Sequence, residues 1–167
     1  MFADLTVGQS YDLHFVDVDG NAISTGDGRI TTIVLTTQAG ADKARIVGDR
    51  IPDFCLANPA YRMVTIVVFE KKHTKPTRFV LTALMRRRLD AEGHRLQNRY
   101  ARNKIASDAR RDVSAVADFD GNIATQLGSK PDAGLFKVFV FGKTGKLINE
   151  WSEVPSTEEL TAALKGN

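Results

Sequence analysis

The sequence predicts an α/β domain built in three layers, with a mixed central sheet between helices. Three observations carry that expectation. Two β-branched runs, Ile30 to Thr37 and Tyr61 to Phe69, are dense enough for buried strands, helical periodicity follows each of them, and the chain closes on a β-hairpin and a helix. With 167 residues, 43% hydrophobic and 26% charged, the chain can bury one core and reads as a single domain over 1–167.

Tyr11 to Val18 is β-prone, with Leu13 and Phe15 on one face, and meets a turn at Asp17-Val18-Asp19-Gly20-Asn21. Ile30 to Thr37 suits a central strand buried on both faces. After Ala39-Gly40-Ala41 a helical pattern runs from about Asp42 to Leu56, its apolar positions Val47, Ile51, Phe54 and Cys55 falling on one face and Pro52 kinking it. Tyr61 to Phe69 is the next buried strand. Pro76 opens a helix with the stripe Leu81, Leu84, Met85 and Leu89, which Gly93 is expected to break or bend before a more polar helix from His94 to about Ser107. Val113 to Ala117 reads as a short strand, and Ile123 to Leu127 as one helical turn ended by Gly128. Phe136 to Phe141, a turn at Gly142-Lys143-Thr144-Gly145 and Lys146 to Trp151 form the hairpin. Ser156 and Glu159 then have the spacing of a capping box for the last helix.

Charge is unevenly spread. From Lys71 to Asp112 there are thirteen Lys/Arg against four Asp/Glu, while the rest of the chain carries ten against sixteen, so the net charge of +3 conceals one basic segment. Within it Arg88, Arg95, Arg99 and Arg102 recur at helical spacing and form a candidate anion-binding stripe, provided the helix passes Gly93. A solvated helix face is the bland alternative. Only Tyr100 lies among the arginines, so stacking on nucleic-acid bases has little support. No apolar run approaches the roughly 20 residues a membrane span needs, and Met1 to Val7 carries no secretion leader. The expected location is therefore cytoplasmic, or periplasmic or secreted if a leader has been removed.

The opening Val7-Gly8 through Asp17-Val18-Asp19-Gly20, the turn Asp118 to Gly128 and the hairpin Phe139-Val140-Phe141-Gly142-Lys143-Thr144-Gly145-Lys146-Leu147-Ile148 resemble the thioredoxin-like superfamily, in particular its peroxiredoxin branch. The resemblance implies a thioredoxin-like three-layer α/β/α fold with a mixed central sheet, an N-terminal β extension and a helical basic insert over about 76–112. It also implies chemistry where the first central strand turns into its helix, because a helix N-terminus lowers the pKa of a thiol placed there. Laying the superfamily's W-x-x-W-C-x-x-C stretch after Thr37 without gaps puts Asp42 and Arg45 at the cysteine positions, whereas anchoring on the helix proline gives Ala44 and Val47. Neither register yields a thiol. Thr36 and Thr37 imitate the peroxiredoxin threonine, but its cysteine is missing, and Leu135-Phe136 stand where the superfamily's loop proline would be, with Pro131 near.

The chain has one cysteine, Cys55, so no intrachain disulfide can form. Its position predicts a small buried hydrophobe; the alternative is a reactive thiol. Asp17 to Asn21 and Asp118 to Asn122 echo a calcium loop, but Gly28 and Ser129 stand where Glu is needed. His14, His73 and His94 have no ligand spacing. No metal or cofactor is expected. The reading is a redox-inactive thioredoxin-like binding domain meeting an unidentified protein or an anionic partner through the Gln38 to Arg45 loop and the arginine-rich insert. The rival is an enzyme, a one-cysteine peroxidase or thiol oxidoreductase using Cys55.

Overall fold

In the computed structural model, residues 4–166 are described, and the reading of Met1 to Val7 as lacking a leader falls partly outside them. A short hairpin comes first, β1 (His14–Val16) antiparallel to β2 (Ala22–Ser24). The strand expected to reach Val18 ends sooner because Asp17 takes over the backbone: its Oδ1 accepts from the amides of Asp19 and Asn21 and forms the turn. Phe15 and Ile23 enter the core from this hairpin.

The eight residues of β3 (Ile30–Thr37) are all buried, as their β-branched run predicts. A 3-10 turn, Gln38–Gly40, leads into α1 (Ala41–Arg50). This helix ends six residues before the Leu56 that the pattern suggested. Pro52 forces the residue before it into extended backbone, and Ile51 accordingly has ψ 129°. Cys55 therefore sits not on the helix but on a separate 3-10 turn, Asp53–Cys55.

β4 (Tyr61–Val68) is followed by α2 (Lys75–Arg102), one continuous helix of 28 residues. The expected break at Gly93 does not occur. Gly93 is buried, and a Cβ there would lie 3.0–3.2 Å from the Arg110 side chain and Cα. Its bareness lets the 3-10 turn Ala109–Asp112 lie against the helix. β5 (Ser114–Asp118), α3 (Asn122–Gln126), β6 (Phe136–Phe141), β7 (Leu147–Trp151) and α4 (Thr157–Lys165) complete the chain, and α4 opens with the Ser156/Glu159 capping box.

The sheet order is β5-β4-β3-β6-β7, with β3, β4 and β5 parallel and β6 and β7 each antiparallel to its neighbour. Right-handed crossovers put α1 and α2 on one face, where α1 and α4 pack over Val34, Val138 and Val140. The β1–β2 hairpin and α3 cover the other face through Ile33, Leu35, Ile66 and Phe139.

One strand departs from its expectation. β4 buries Val64, Ile66 and Val68 on the hairpin side, but Met63, Thr65 and Val67 on the other side are only half-buried. The cause is the seat of α2. Its Leu89 and Met85 pack with Ala115 and Ala117 of the edge strand β5, whose small side chains let the helix approach there, and not over β4. At 1.5 Å per residue α2 is about 42 Å long, against about 27 Å for β4, so it outruns the sheet. Phe79 is 73% exposed and Leu84 48%.

Polar ties hold α2 in place of apolar area. Arg86 Nε donates to Val18 O at 2.7 Å, and Arg110 bridges Asp90 and Asp19. Buried Tyr100 donates to Asp112 at 2.5 Å and accepts from the amide of Ala57, which has φ +53°. Burial and the hydrogen bond to Asp112 raise the Tyr100 pKa, so the hydroxyl remains a donor. Gly93→Val should destabilise the protein by about 1–3 kcal/mol through overpacking against Arg110, although valine is the better helix former. Urea denaturation reads this directly, and a gain in stability would show that the 3-10 turn can retreat.

Candidate functional site

The strand-to-helix turn lies at the C-terminal edge of β3. α1 begins at Ala41, so Asp42 is its second residue and Arg45 its fifth, and both are exposed. Ala44 and Val47, the positions of the other register, point into the core instead. Gly40 occupies the N-cap and offers no side-chain cap; a Cβ there would fall 2.0 Å from Thr36 Oγ1. Asp42 complements the helix dipole but makes no capping bond, which lowers what its loss should cost to about 0.3–1 kcal/mol. Asp42→Ala, measured by denaturant unfolding, tests that range.

Cys55 is half-buried against the cluster of Val47, Leu160 and Leu164. Burial pushes its thiol up to about 11, with the nearby Arg99 guanidinium opposing the rise. Such a sulfur is protonated at neutral pH. The helix N-terminus that would activate a thiol lies at the opposite end of α1.

The arginine stripe forms, because α2 is unbroken, and it faces α1. Arg45 of α1 meets Glu92 at 2.8 Å, Asp49 meets Arg95 at 2.8 Å, and Asp53 meets Arg99 at 2.7 Å. Arg99 also donates to the carbonyls of Gly48 and Ile51, closing the C-terminal end of α1. Two of the four candidate arginines, Arg95 and Arg99, are thus tied to the body of the protein. Arg88 and Arg102 have no partner among the described residues, nor does Arg87, which the spacing argument did not single out.

Beneath this ladder lies a cavity of about 950 Å³, floored by β4 and walled by α1 and α2. It brings together the two surfaces read from the sequence. Gln38, Asp42 and Arg45 form one wall, and Arg88, Arg95 and Arg99 belong to the other. Cys55 lines it too. The cavity itself left no mark in the sequence, since Met63, Thr65 and Val67 on its floor are similar in size to Val64, Ile66 and Val68 on the opposite face. Asp17 and Asp118 are turn formers, the latter accepting from the Ala124 amide, and no group of metal-ligating side chains occurs among the described residues. No described helix is long and apolar enough to cross a membrane.

Comparison with solved structures decides the architecture. The exposed lipoprotein thioredoxin Etrx1 of Streptococcus pneumoniae superposes with a TM-score of 0.54 at 13% identity, covering 94% of this chain and all of that one. StoA of Bacillus subtilis gives 0.54 at 10%, covering 94% and 98%, and dsbF of MTB gives 0.54 at 14%, covering 96% and 98%. The fold is thioredoxin-like. No family model matches the sequence, and neither does any curated protein. The identities are low enough that the likeness speaks for the thioredoxin-like fold alone.

Because the thiol is protonated below about pH 11, Cys55 should react with iodoacetamide at pH 7.5 at least about tenfold more slowly than a free thiol. The sign for stability follows from linkage. The unfolded thiol ionises near 8.5 and the folded one later, so any contribution to stability is complete below that pH and is lost as pH rises towards 11. Thiolate absorbance at 240 nm, compared with Cys55→Ser, should appear only in that upper range.

Proposed function

We propose that this chain is a thioredoxin-like binding domain that carries out no dithiol exchange and takes an anionic partner on the arginine-lined groove between α1 and α2. The observation that carries the reading is the meeting of the α1 N-terminus with the arginine face of α2 at one cavity. A cleft at the C-terminal edge of parallel strands is where open α/β sheets bind ligands. The single cysteine lies away from the helix N-terminus, which supports a role without thiol turnover. Kinship with the peroxiredoxin branch belongs to the same proposal, supported by the β1–β2 extension and the Asp118 to Gly128 turn, and so does a cytoplasmic location, since a lone cysteine needs no oxidising compartment.

The rival, a peroxidase or thiol oxidoreductase working through Cys55, draws support from that residue's place in the cavity wall, and its raised pKa works against it. The two readings part in a simple assay. The protein should neither reduce insulin disulfides nor consume hydrogen peroxide faster than a free thiol; turnover that vanishes in Cys55→Ser would establish the rival.

Anion binding has its own test. Heparin should bind at 50 mM salt and weaken steeply towards 200 mM. Replacing the unpaired Arg87, Arg88 and Arg102 together by Glu should abolish that binding with little change in thermal midpoint, because exposed charges contribute little to stability. Arg95→Glu with Arg99→Glu should instead lower the midpoint, since both arginines hold α1. Salt-insensitive binding, or none, would refute an anionic partner.

A further inference from the structure

We propose that the α1/α2 groove is a site for a single-chain amphiphile with one anionic headgroup, the chain lying over β4 and the head held by Arg88 at the mouth; this rests on reading the molecule as a binding domain.

The direction of the groove follows from the ion pairs. α1 and α2 run parallel, and the pairs are matched in order: Arg45 with Glu92 and Asp49 with Arg95, then Asp53 of the following 3-10 turn with Arg99. These pairs strap the helices together over the half of the groove nearer Tyr61. One turn earlier the ladder stops. There Ala41 and Asp42 face the turn of α2 that carries Arg88, and Arg88 has no partner among the described residues. The groove is therefore roofed at one end and open at the other, with a free guanidinium at the opening.

The interior is apolar where a chain would lie. Met63 and Val67 of β4 and Leu81, Leu84 and Met85 of α2 line it, half-buried or exposed, and Met85 and Met63 can adapt to a flexible chain. Polar groups stand among them: half-buried Thr65 lies between Met63 and Val67 on β4, and Thr32 of β3, 1% exposed, lines the cavity too. A volume of about 950 Å³ lies within the roughly 300–1,000 Å³ of ligand pockets.

The straps select the occupant. A partner helix, about 10 Å across, would have to break the ion pairs that tie the walls together, whereas a thin, flexible chain can be received from the open end. The head must then sit at the open end, where Arg88 offers charge-assisted bonds to a carboxylate or phosphate. Asp42 is the unpaired acid at that mouth and opposes an anion, so its removal should help.

The test is fluorescence titration of the full chain with cis-parinaric acid, displaced by palmitate, lysophosphatidic acid or 1-hexadecanol. The expected result is one saturable site from which palmitate displaces the probe and hexadecanol does so at least about tenfold less well, the worth of a charged hydrogen bond. Arg88→Ala should weaken palmitate by about tenfold and leave hexadecanol unchanged, and Asp42→Asn should tighten palmitate. Val67→Trp, which fills the floor, should abolish binding of both; if it does not fold, Leu84→Arg on the exposed helix face replaces it. Tighter displacement by palmitate marks a carboxylate ligand and by lysophosphatidic acid a phosphate one, and either upholds the site. Absence of saturable binding, or equal loss of palmitate and hexadecanol in Arg88→Ala, overturns it. Heparin binding without palmitate displacement overturns the amphiphile alone and leaves the anionic-partner reading in place, while failure of both removes both.

Discussion

The ladder of arginine–carboxylate pairs ties α2 to α1 and to the turn that follows it, side by side across the groove. Helices that interlock through aliphatic side chains usually settle about 8–10 Å apart and squeeze out the space between. Here α2 is seated on the edge strand through Leu89, Ala115 and Ala117, one strand too far out to cover β4, and long arginines span the remaining distance. The cavity, the half-exposed face of β4 and the free charge of Arg88 all follow from that seat. Exposed ion pairs each contribute little, about 0–1 kcal/mol, so the arrangement depends on Tyr100 and Gly93, whose buried contacts fix the height of the helix above the edge strand.

The division of chemistry along α1 is equally physical. Its N-terminal end, where free amides could stabilise a thiolate, carries Ala41 and Asp42. Its C-terminal end delivers the chain to Pro52 and then to Cys55, where burial outweighs the help of Arg99. The sulfur is thus placed where burial makes a thiol less acidic, and the helix N-terminus carries Asp42 instead.

Much of the architecture could be read from residue order. The β-branched run of β3, the hairpin at Gly142 to Gly145 and the Ser156/Glu159 box each have a local cause that acts within a few residues. What escaped the sequence was set by distant partners. Gly93 looked like a helix breaker because its reason, the backbone of Arg110, comes from a later turn. The helical period carrying Cys55 continued past Ile51 on paper, and the steric demand of Pro52 ended it. Arg88, Arg95, Arg99 and Arg102 line one wall of the cavity, and periodicity holds no information about which of them meets a carboxylate across the groove.

The central strand has a consequence for how the chain is made. β3 borders β4, a parallel neighbour some thirty residues on, and β6, which lies about a hundred residues further along the sequence. As the chain leaves the ribosome, the α1 crossover can bring β4 into place early. The other edge of β3, flanked by side chains destined for burial on both faces, stays open until Phe136 to Phe141 emerge. Topologies of this kind fold slowly, and an unpaired apolar edge is the surface on which nascent chains associate with one another. For this molecule the vulnerable interval is the synthesis of everything between Thr37 and Phe136, of which the 28 residues of α2 are the longest single element.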